Sequence, residues 1–587
     1  MSATTRRRGP YPFSELHVLL GLVVVAFLGC GVVWLGAYLA TPAGAPKPPA
    51  SPITMIWHLR NGRYTWPGAK ATLYASLLGA AFLSSALMVG VSVLLRKRRR
   101  VKIDRAIPYL ARPRDLMATT TRGVRETADK IGYGHVDPPG VAVGRLVRGG
   151  QMLWGSWEDM HVDIWGPRTG KTSARAIPNI VAAPGAVVVT SNKRDVVDAT
   201  RNSRARRGRV WVFDPQNQAN EPPSWYWDPL EYVNGKITLA VKTASRIASI
   251  NRAEHVRSDA YFEPAAEELL ANLLLAASLD GRVITAVYTW LTRPADDAPV
   301  RILRAHGHTL SADSVLAIVS SPERQRAGVY GTAAQMASFL TAPSMTEWVT
   351  PGSDPSRPRF RYKEFVRDAT DSLYLLSEET NKMAAPLITV FTAALAEEAE
   401  NQGTAGPGGR LPTPMLFVLD EAANVCPWKA LPDKYSHFGS RGIVMMTILQ
   451  SWAQGVSAWG ETGMAKLWGA ANVRVYGGGV LDTKFLADLS SASGVFEPHT
   501  VGVSYSTSDV WKRNISTGSR SEPVLDVPDL ASLPRGRAFV QVSGSPPALV
   551  RTVPWWDGDH ATEIRASLLE HGPAPRTEAV PGKASAA

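Results

Sequence analysis

The segment Trp165-Gly166-Pro167-Arg168-Thr169-Gly170-Lys171-Thr172 constrains this chain more than any other, because it follows an apolar, strand-like stretch and leads into a segment of helical pattern. A strand, a small-residue turn and a helix start, in that order, make a phosphate-binding loop. Successive backbone N–H groups and a helix N-terminus converge there on anionic oxygens, which requires small residues where the main chain approaches them. Gly166, Pro167, Arg168, Thr169, Gly170, Lys171 and Thr172 are therefore the candidate nucleotide-binding residues. Lys171 would place a point charge on the β- and γ-phosphates, and Thr172 a hydroxyl on Mg2+. Trp165 departs from the pattern G-x-x-x-x-G-K-[ST], standing where its first glycine is expected; Gly170-Lys171-Thr172 is intact.

A second element, Met415-Leu416-Phe417-Val418-Leu419-Asp420-Glu421, is an apolar run ending in two carboxylates. A buried parallel strand delivers acidic side chains to the C-terminal edge of a sheet in this way. An apolar run before Asp-Glu also describes a strand entering a capped helix, but its pairing with the upstream loop favours a nucleotide triphosphatase. Asp420 then joins Thr172 as a candidate Mg2+ ligand, and Glu421 is the candidate for polarising the attacking water.

Residues 16–40 and 71–95 are each about 25 residues long and hold no Asp, Glu, Lys or Arg, long enough to cross a bilayer. Both are expected as transmembrane helices. Arg6, Arg7 and Arg8 precede the first, and Arg96, Lys97, Arg98, Arg99 and Arg100 follow the second, which places both termini in the cytoplasm of a two-span protein of the cell membrane. The net charge of +13 is concentrated in this region, since residues 1–110 hold 14 basic and 2 acidic side chains and the remainder 50 and 49. The basic balance is thus mainly topogenic and gives little support for nucleic-acid binding by the rest of the chain. Two cysteines, Cys30 and Cys426, exclude a disulfide scaffold.

Strand and helix patterns alternate beyond residue 150, with a helical block between. Residues 186–191 and 209–215 read as parallel strands flanking the phosphate-loop strand, and strand patterns return at 371–376, 415–421, 442–450 and 473–476. Leu269, Leu270, Leu273 and Leu274 fall on one helical face and read as core. The expected organisation is a cytoplasmic tail (1–15), a first span (16–40), an extracytoplasmic loop (41–70), a second span (71–95) and a juxtamembrane segment (96–150). A nucleotide-binding domain in two parts (151–255 and 351–565) then brackets an all-helical subdomain (256–350), and a disordered tail (566–587) closes the chain.

This order of elements resembles the conjugative coupling proteins of type IV secretion, of the TraG/TraD type. The stretches that carry the resemblance are Gly166 to Thr172, Val188-Val189-Thr190-Ser191-Asn192-Lys193, Val212-Phe213-Asp214-Pro215, Leu419-Asp420-Glu421-Ala422-Ala423-Asn424, and Ser440-Arg441-Gly442-Ile443 followed by Leu449-Gln450-Ser451. The resemblance implies an α/β fold with a RecA-like P-loop NTPase domain, an inserted all-helical subdomain and two preceding transmembrane helices. It implies a membrane-anchored homo-hexamer that uses ATP and Mg2+ to move single-stranded DNA with its relaxase, or protein substrates, towards the channel components of a secretion system. It gives Gln450 the role of γ-phosphate sensor. The family often carries an arginine finger three residues before Gly442, where this chain has Gly439, and Arg441 is the substitute candidate. Two other readings are a receptor that binds ATP with little turnover and a double-strand DNA translocase of the chromosome-partitioning type. The second usually carries a C-terminal DNA-reading module, for which the Pro- and Ala-rich tail leaves no room.

Overall fold

The computed structural model describes residues 7–8, 15–42, 44–98, 102–251, 261–354, 356–497, 499–506, 509–519 and 521–573. It divides into two compact units, residues 1–109 with 495–522, and residues 110–494 with 523–587.

In the first unit the two expected spans fold as helices Glu15–Ala40 and Ala69–Arg98, which pack on each other. Gly36 lies at their crossing, where an added Cβ would stand 2.6 Å from the backbone nitrogen of Ala75. Among the described residues, no helix is long and apolar enough to cross a membrane, so the two transmembrane spans are not borne out. The side chains of the first helix are described only from residue 27 onward, and the described part of the second dilutes its leucines with Lys70 and several Ala, Ser and Gly. The loop between them contains a short helix, Pro52–Arg60. An antiparallel hairpin, His499–Ser506 with Asp509–Ser519, belongs to the same unit.

The second unit is built on one mixed sheet of 11 strands. In chain order these are β1 (Gly140–Leu146), β2 (Met152–Ser156), β3 (His161–Ile164), β4 (Val187–Ser191), β5 (Val210–Phe213), β6 (Ser372–Leu376), β7 (Met415–Leu419), β8 (Ile443–Leu449), β9 (Val473–Tyr476), β10 (Arg537–Val542) and β11 (Ala548–Arg551). Their spatial order is β2-β1-β11-β10-β9-β3-β8-β7-β4-β6-β5. Strands β9, β3, β8, β7, β4, β6 and β5 run parallel, and β10, β11, β1 and β2 extend them as an antiparallel wing. Every residue of β4, β6, β7 and β8 is buried, which is why these strands read as unbroken apolar runs.

The sheet order corrects one expectation. Strands β4 and β5 do not flank the phosphate-loop strand β3; its neighbours are β8 and β9, while β4 lies beyond β7 and β5 at the sheet edge. Strand order is set by long-range pairing, which the local pattern of 186–191 and 209–215 does not encode. The segment 96–150 also contributes a sheet strand, β1, rather than only a connection.

Helices run from Pro229–Val233 through Pro343–Thr346 between β5 and β6, so the helical block begins before residue 256. Leu269, Leu270, Leu273 and Leu274 are buried on helix Phe262–Leu279, which packs against Ile237–Asn251 and Glu323–Met336. Glu397, on the long helix Ala385–Ala405, ties the block to the sheet domain through Lys242, Arg246 and the Tyr232 hydroxyl. The tail begins later than expected, since residues 566–571 finish helix Ala561–His571. That helix is ordered by docking on helix Asp195–Ala205, where Ser567 donates to the Asp198 carbonyl at 2.6 Å and Asn202 donates to Glu570 at 2.7 Å. The rest of the expected tail, 574–587, lies outside the described residues.

Candidate nucleotide site

Four chain segments far apart in sequence meet at the C-terminal edge of the parallel strands. Strand β3 ends at Ile164 and hands the chain to the loop, which returns as a helix from Thr172. The first turn, Thr172–Ala176, is a π-helix. Pro178 accounts for it, because its ring has no N–H for the carbonyl of Ala174 and crowds the preceding turn. Gly170 has φ +98° and Arg168 φ +60°, the left-handed conformations that turn the loop back on itself. The Thr169 hydroxyl closes the turn by donating to the Gly166 carbonyl at 2.6 Å.

Lys171 and Thr172 face the end of β7. The Lys171 ammonium pairs with Glu421 and lies 3.4 Å from Asp420 Oδ1. The Thr172 hydroxyl donates to Asp420 Oδ2 at 3.1 Å. Two oxygens about 3.0 Å apart suit adjacent positions on an octahedral ion with bonds near 2.1 Å, so Thr172 and Asp420 fit Mg2+. Asp420 is itself fixed by its neighbour strand, since Thr190 of β4 donates to its carbonyl at 3.0 Å. Glu421 has φ +55°, a conformation that costs a non-glycine residue about 1–3 kcal/mol and is met at functional sites. Gln450, at the end of β8, donates to both carboxylate oxygens of Glu421 at 2.8 Å. Gln450 is held in turn by a reciprocal cap: Ser451 accepts from the Gln454 amide at 3.1 Å, and the Gln454 side chain accepts from the Gln450 amide at 2.8 Å.

Arg441 is not among these residues. It precedes β8 at the opposite edge of the sheet, separated from Gln450 by the length of that seven-residue strand, roughly 20 Å at 3.3 Å per residue, and its guanidinium donates to the Gly409 carbonyl at 2.9 Å. Gly439 cannot carry an arginine, because a Cβ there would stand 2.2 Å from the Glu158 carbonyl oxygen.

Several contributors escaped the sequence reading. Trp165 is buried and packs among Val475, Val540 and Val550 beneath the loop, with its indole donating to Asp163 at 3.3 Å. Its place among core side chains explains why no glycine is needed there. Asp163 and Arg175 are both fully buried and pair through two bonds of 2.6 and 3.1 Å. This pair locks the loop's helix to the loop's strand, and Arg175 also reaches the Ala142 carbonyl and His161. Burial, and then the Arg175 charge, hold the His161 pKa well below its ordinary value. Gly477-Gly478-Gly479, directly after β9, forms the other wall: the Gly166 amide donates to the Gly478 carbonyl at 2.8 Å. A run of three glycines after a strand was the visible signal for that wall.

A family model described as the TraM recognition site of TraD and TraG matches residues 414–535, the stretch that supplies Asp420, Glu421, Gln450 and the glycine wall. Over about two thirds of the chain the fold is similar to that of the bacterial conjugative coupling protein TrwBdeltaN70. Its unbound monoclinic form superposes with a TM-score of 0.52 at 17% identity, covering 70% of this chain and 88% of the other. Its trigonal form in complex with sulphate gives a TM-score of 0.50 at 16% identity, covering 68% and 85%. No curated protein matches the sequence. The family model arrives at the coupling proteins from sequence and the superposition arrives at the same fold, so the resemblance read from the residues is borne out, together with the α/β fold and its large mixed sheet.

Proposed function

We propose that this chain, with the sequence hallmark and the fold of the type IV coupling proteins, is an ATPase that couples ATP hydrolysis to the recruitment and translocation of single-stranded DNA with its attached relaxase, or of protein substrates. The observation that carries the proposal is the convergence of Lys171, Thr172, Asp420, Glu421 and Gln450 at one sheet edge. Bound ATP with Mg2+ would supply the phosphoryl group and neutralise its developing charge. Lys171 would leave its two carboxylates for the phosphates, Thr172 and Asp420 would hold the metal, and Glu421, freed from Lys171, would orient the water. Gln450 would couple the γ-phosphate to Glu421, whose carboxylate it already grips.

Arg441 can serve as the arginine finger only from a neighbouring subunit, since its own chain keeps it at the far edge. This motivates the proposed homo-hexamer. The name of the matched region, recognition of TraM by TraD and TraG, supports a relaxosome protein as partner beside the secretion channel. Leu77, Leu83, Leu87 and Met88 are 59–72% exposed on helix Ala69–Arg98, and contiguous exposed apolar surface of this kind supports attachment to the cell membrane through the paired helices.

The test is the ATPase rate of the full chain with and without single-stranded DNA, alongside Lys171→Ala. Stimulation by DNA that is lost in the variant is the expected result. Tight ATP binding with negligible, DNA-independent turnover would replace the motor with an ATP-binding receptor, the reading that the missing arginine at 439 favours. Recovery of the chain in the supernatant after carbonate extraction of membranes would remove the membrane assignment.

A further inference from the structure

The glycine wall brings a second cation to the phosphate loop. Each of its three residues faces a group that a side chain would strike: a Cβ on Gly477 would stand 2.0 Å from the Trp165 ring, on Gly478 3.0 Å from the Leu533 carbonyl oxygen, and on Gly479 2.6 Å from the Thr169 methyl. The wall is therefore a spacer of minimum thickness, with the loop against one side and the turn Leu533-Pro534-Arg535-Gly536 against the other. Gly536 has φ +88°, which sharpens that turn before β10. At its tip the guanidinium of Arg535 comes over the loop, its Nε 3.9 Å from where a Gly170 Cβ would be. Ser173 Oγ lies 3.5 Å from the same point, and no atom of Glu421 or Gln450 comes within 4 Å of it, so Arg535 neighbours Gly170 and Ser173, where the loop passes into its helix. Arg535 is exposed, and among the described residues no carboxylate pairs with it. An unpaired guanidinium at the mouth of an anion-binding loop is placed to grip a phosphate.

We propose that Arg535 binds the nucleotide in cis at its α-phosphate, opposite the γ-phosphate end that Lys171, Glu421 and Gln450 face. The direction follows from the loop itself. The amides that begin the helix cradle the α- and β-phosphates while the lysine reaches the β and γ, so a cation beside Gly170 and Ser173, where the helix begins, meets the α end. An α-phosphate contact is made equally to substrate and product, which makes Arg535 a residue of general nucleotide affinity rather than of hydrolysis. It also fastens the wing strand β10 to the occupied loop.

This inference rests on the nucleotide-binding reading, and the experiment separates the two. Dissociation constants of the full chain for ATP and for ADP are measured by calorimetry for wild type, Arg535→Ala, Arg535→Lys and Lys171→Ala. Losing a charge-assisted contact should weaken ATP and ADP alike in Arg535→Ala, by roughly tenfold or more, with Arg535→Lys intermediate and unfolding midpoints unchanged. Equal affinities in wild type and Arg535→Ala would overturn the inference and leave the nucleotide site standing. So would a loss confined to ATP, which would move Arg535 to the γ end. A wild-type chain that binds neither nucleotide would remove both readings together.

Discussion

Strands β3 and β7 end at the same sheet edge and supply opposite halves of one site, yet they are built on opposite principles. Strand β7 is Met415-Leu416-Phe417-Val418-Leu419, wholly apolar and wholly buried. Strand β3 is His161-Val162-Asp163-Ile164, as deeply buried but with an ionisable side chain at every second position. The carboxylates at the end of β7 are delivered by ordinary packing between two neighbours, β8 and β4; Thr190 fixes the Asp420 backbone and Gln450 grips the Glu421 carboxylate. The loop after β3 must hold a run of amides in register over a helix start, and a buried, two-pronged Asp163–Arg175 pair supplies the orientation that apolar contacts lack. Burying such a pair does little for net stability, but losing one partner strands the other charge.

The largest effects should separate chemistry at the end of β7 from architecture beneath β3. Glu421→Gln should retain ATP binding and lower turnover by about 10²–10⁴-fold, the range for loss of a general base, with no change in unfolding midpoint; wild-type hydrolysis by this variant would refute the role. Arg175→Met should do the reverse of a site mutation, destabilising the fold by about 3–5 kcal/mol in chemical denaturation. Arg175→Lys should fall well short of wild type, because a single ammonium cannot fork onto Asp163. A neutral Arg175→Lys would show that β3 tolerates substitution as β7 does.

On the apolar side, Leu416→Met keeps volume and polarity and should cost less than about 1.5 kcal/mol. A larger loss would mean that β7, too, is specified by shape beyond packing. The smallest effect is a pH dependence confined to β3. Burial and Arg175 lower the folded pKa of His161, so below the unfolded value of about 6.5 the unfolded chain takes up a proton that the folded chain refuses. Stability is then lost as pH falls from about 6.5 towards the lowered folded pKa, by at most about 1.4 kcal/mol per pH unit. Denaturation midpoints at pH 7.5 and 5.5 should show this slope in wild type and a flatter one in His161→Gln; equal slopes would dismiss His161 as its source.

The same contrast governs what was legible beforehand. Strands β4, β6, β7 and β8 announced themselves as apolar runs, because a strand covered on both faces has no polar side to interrupt the pattern. The wing strands β1, β2, β10 and β11 did not, since Gly140, Gly144, Arg145, Gly155, Arg537 and Arg551 break their runs. Trp165 looked like damage to a motif until its ring was found in the core, and 566–571 looked like tail because the helix there is ordered by docking, through Ile564 and Leu568 on Ile177, Val181 and Ala199 and through polar contacts to Asp198 and Asn202. Sequence adjacency placed β4 and β5 beside the loop strand, but pairing of β4 with β7 and of β5 with β6 carried them outward.

By itself the sequence determined the chemical inventory and its order along the chain: a loop of small residues with Lys171 and Thr172, a strand delivering Asp420 and Glu421, and a later strand ending in Gln450. Such features are local, since residue identity and a two- or three-residue spacing are enough to express them. Only the tertiary structure decided that Gln450 grips Glu421, that Arg441 lies at the wrong edge for its own site, and that Arg535 reaches the loop across three glycines. Those relations depend on sheet order and on the closeness of backbones hundreds of residues apart, which are fixed by the packing of the whole domain.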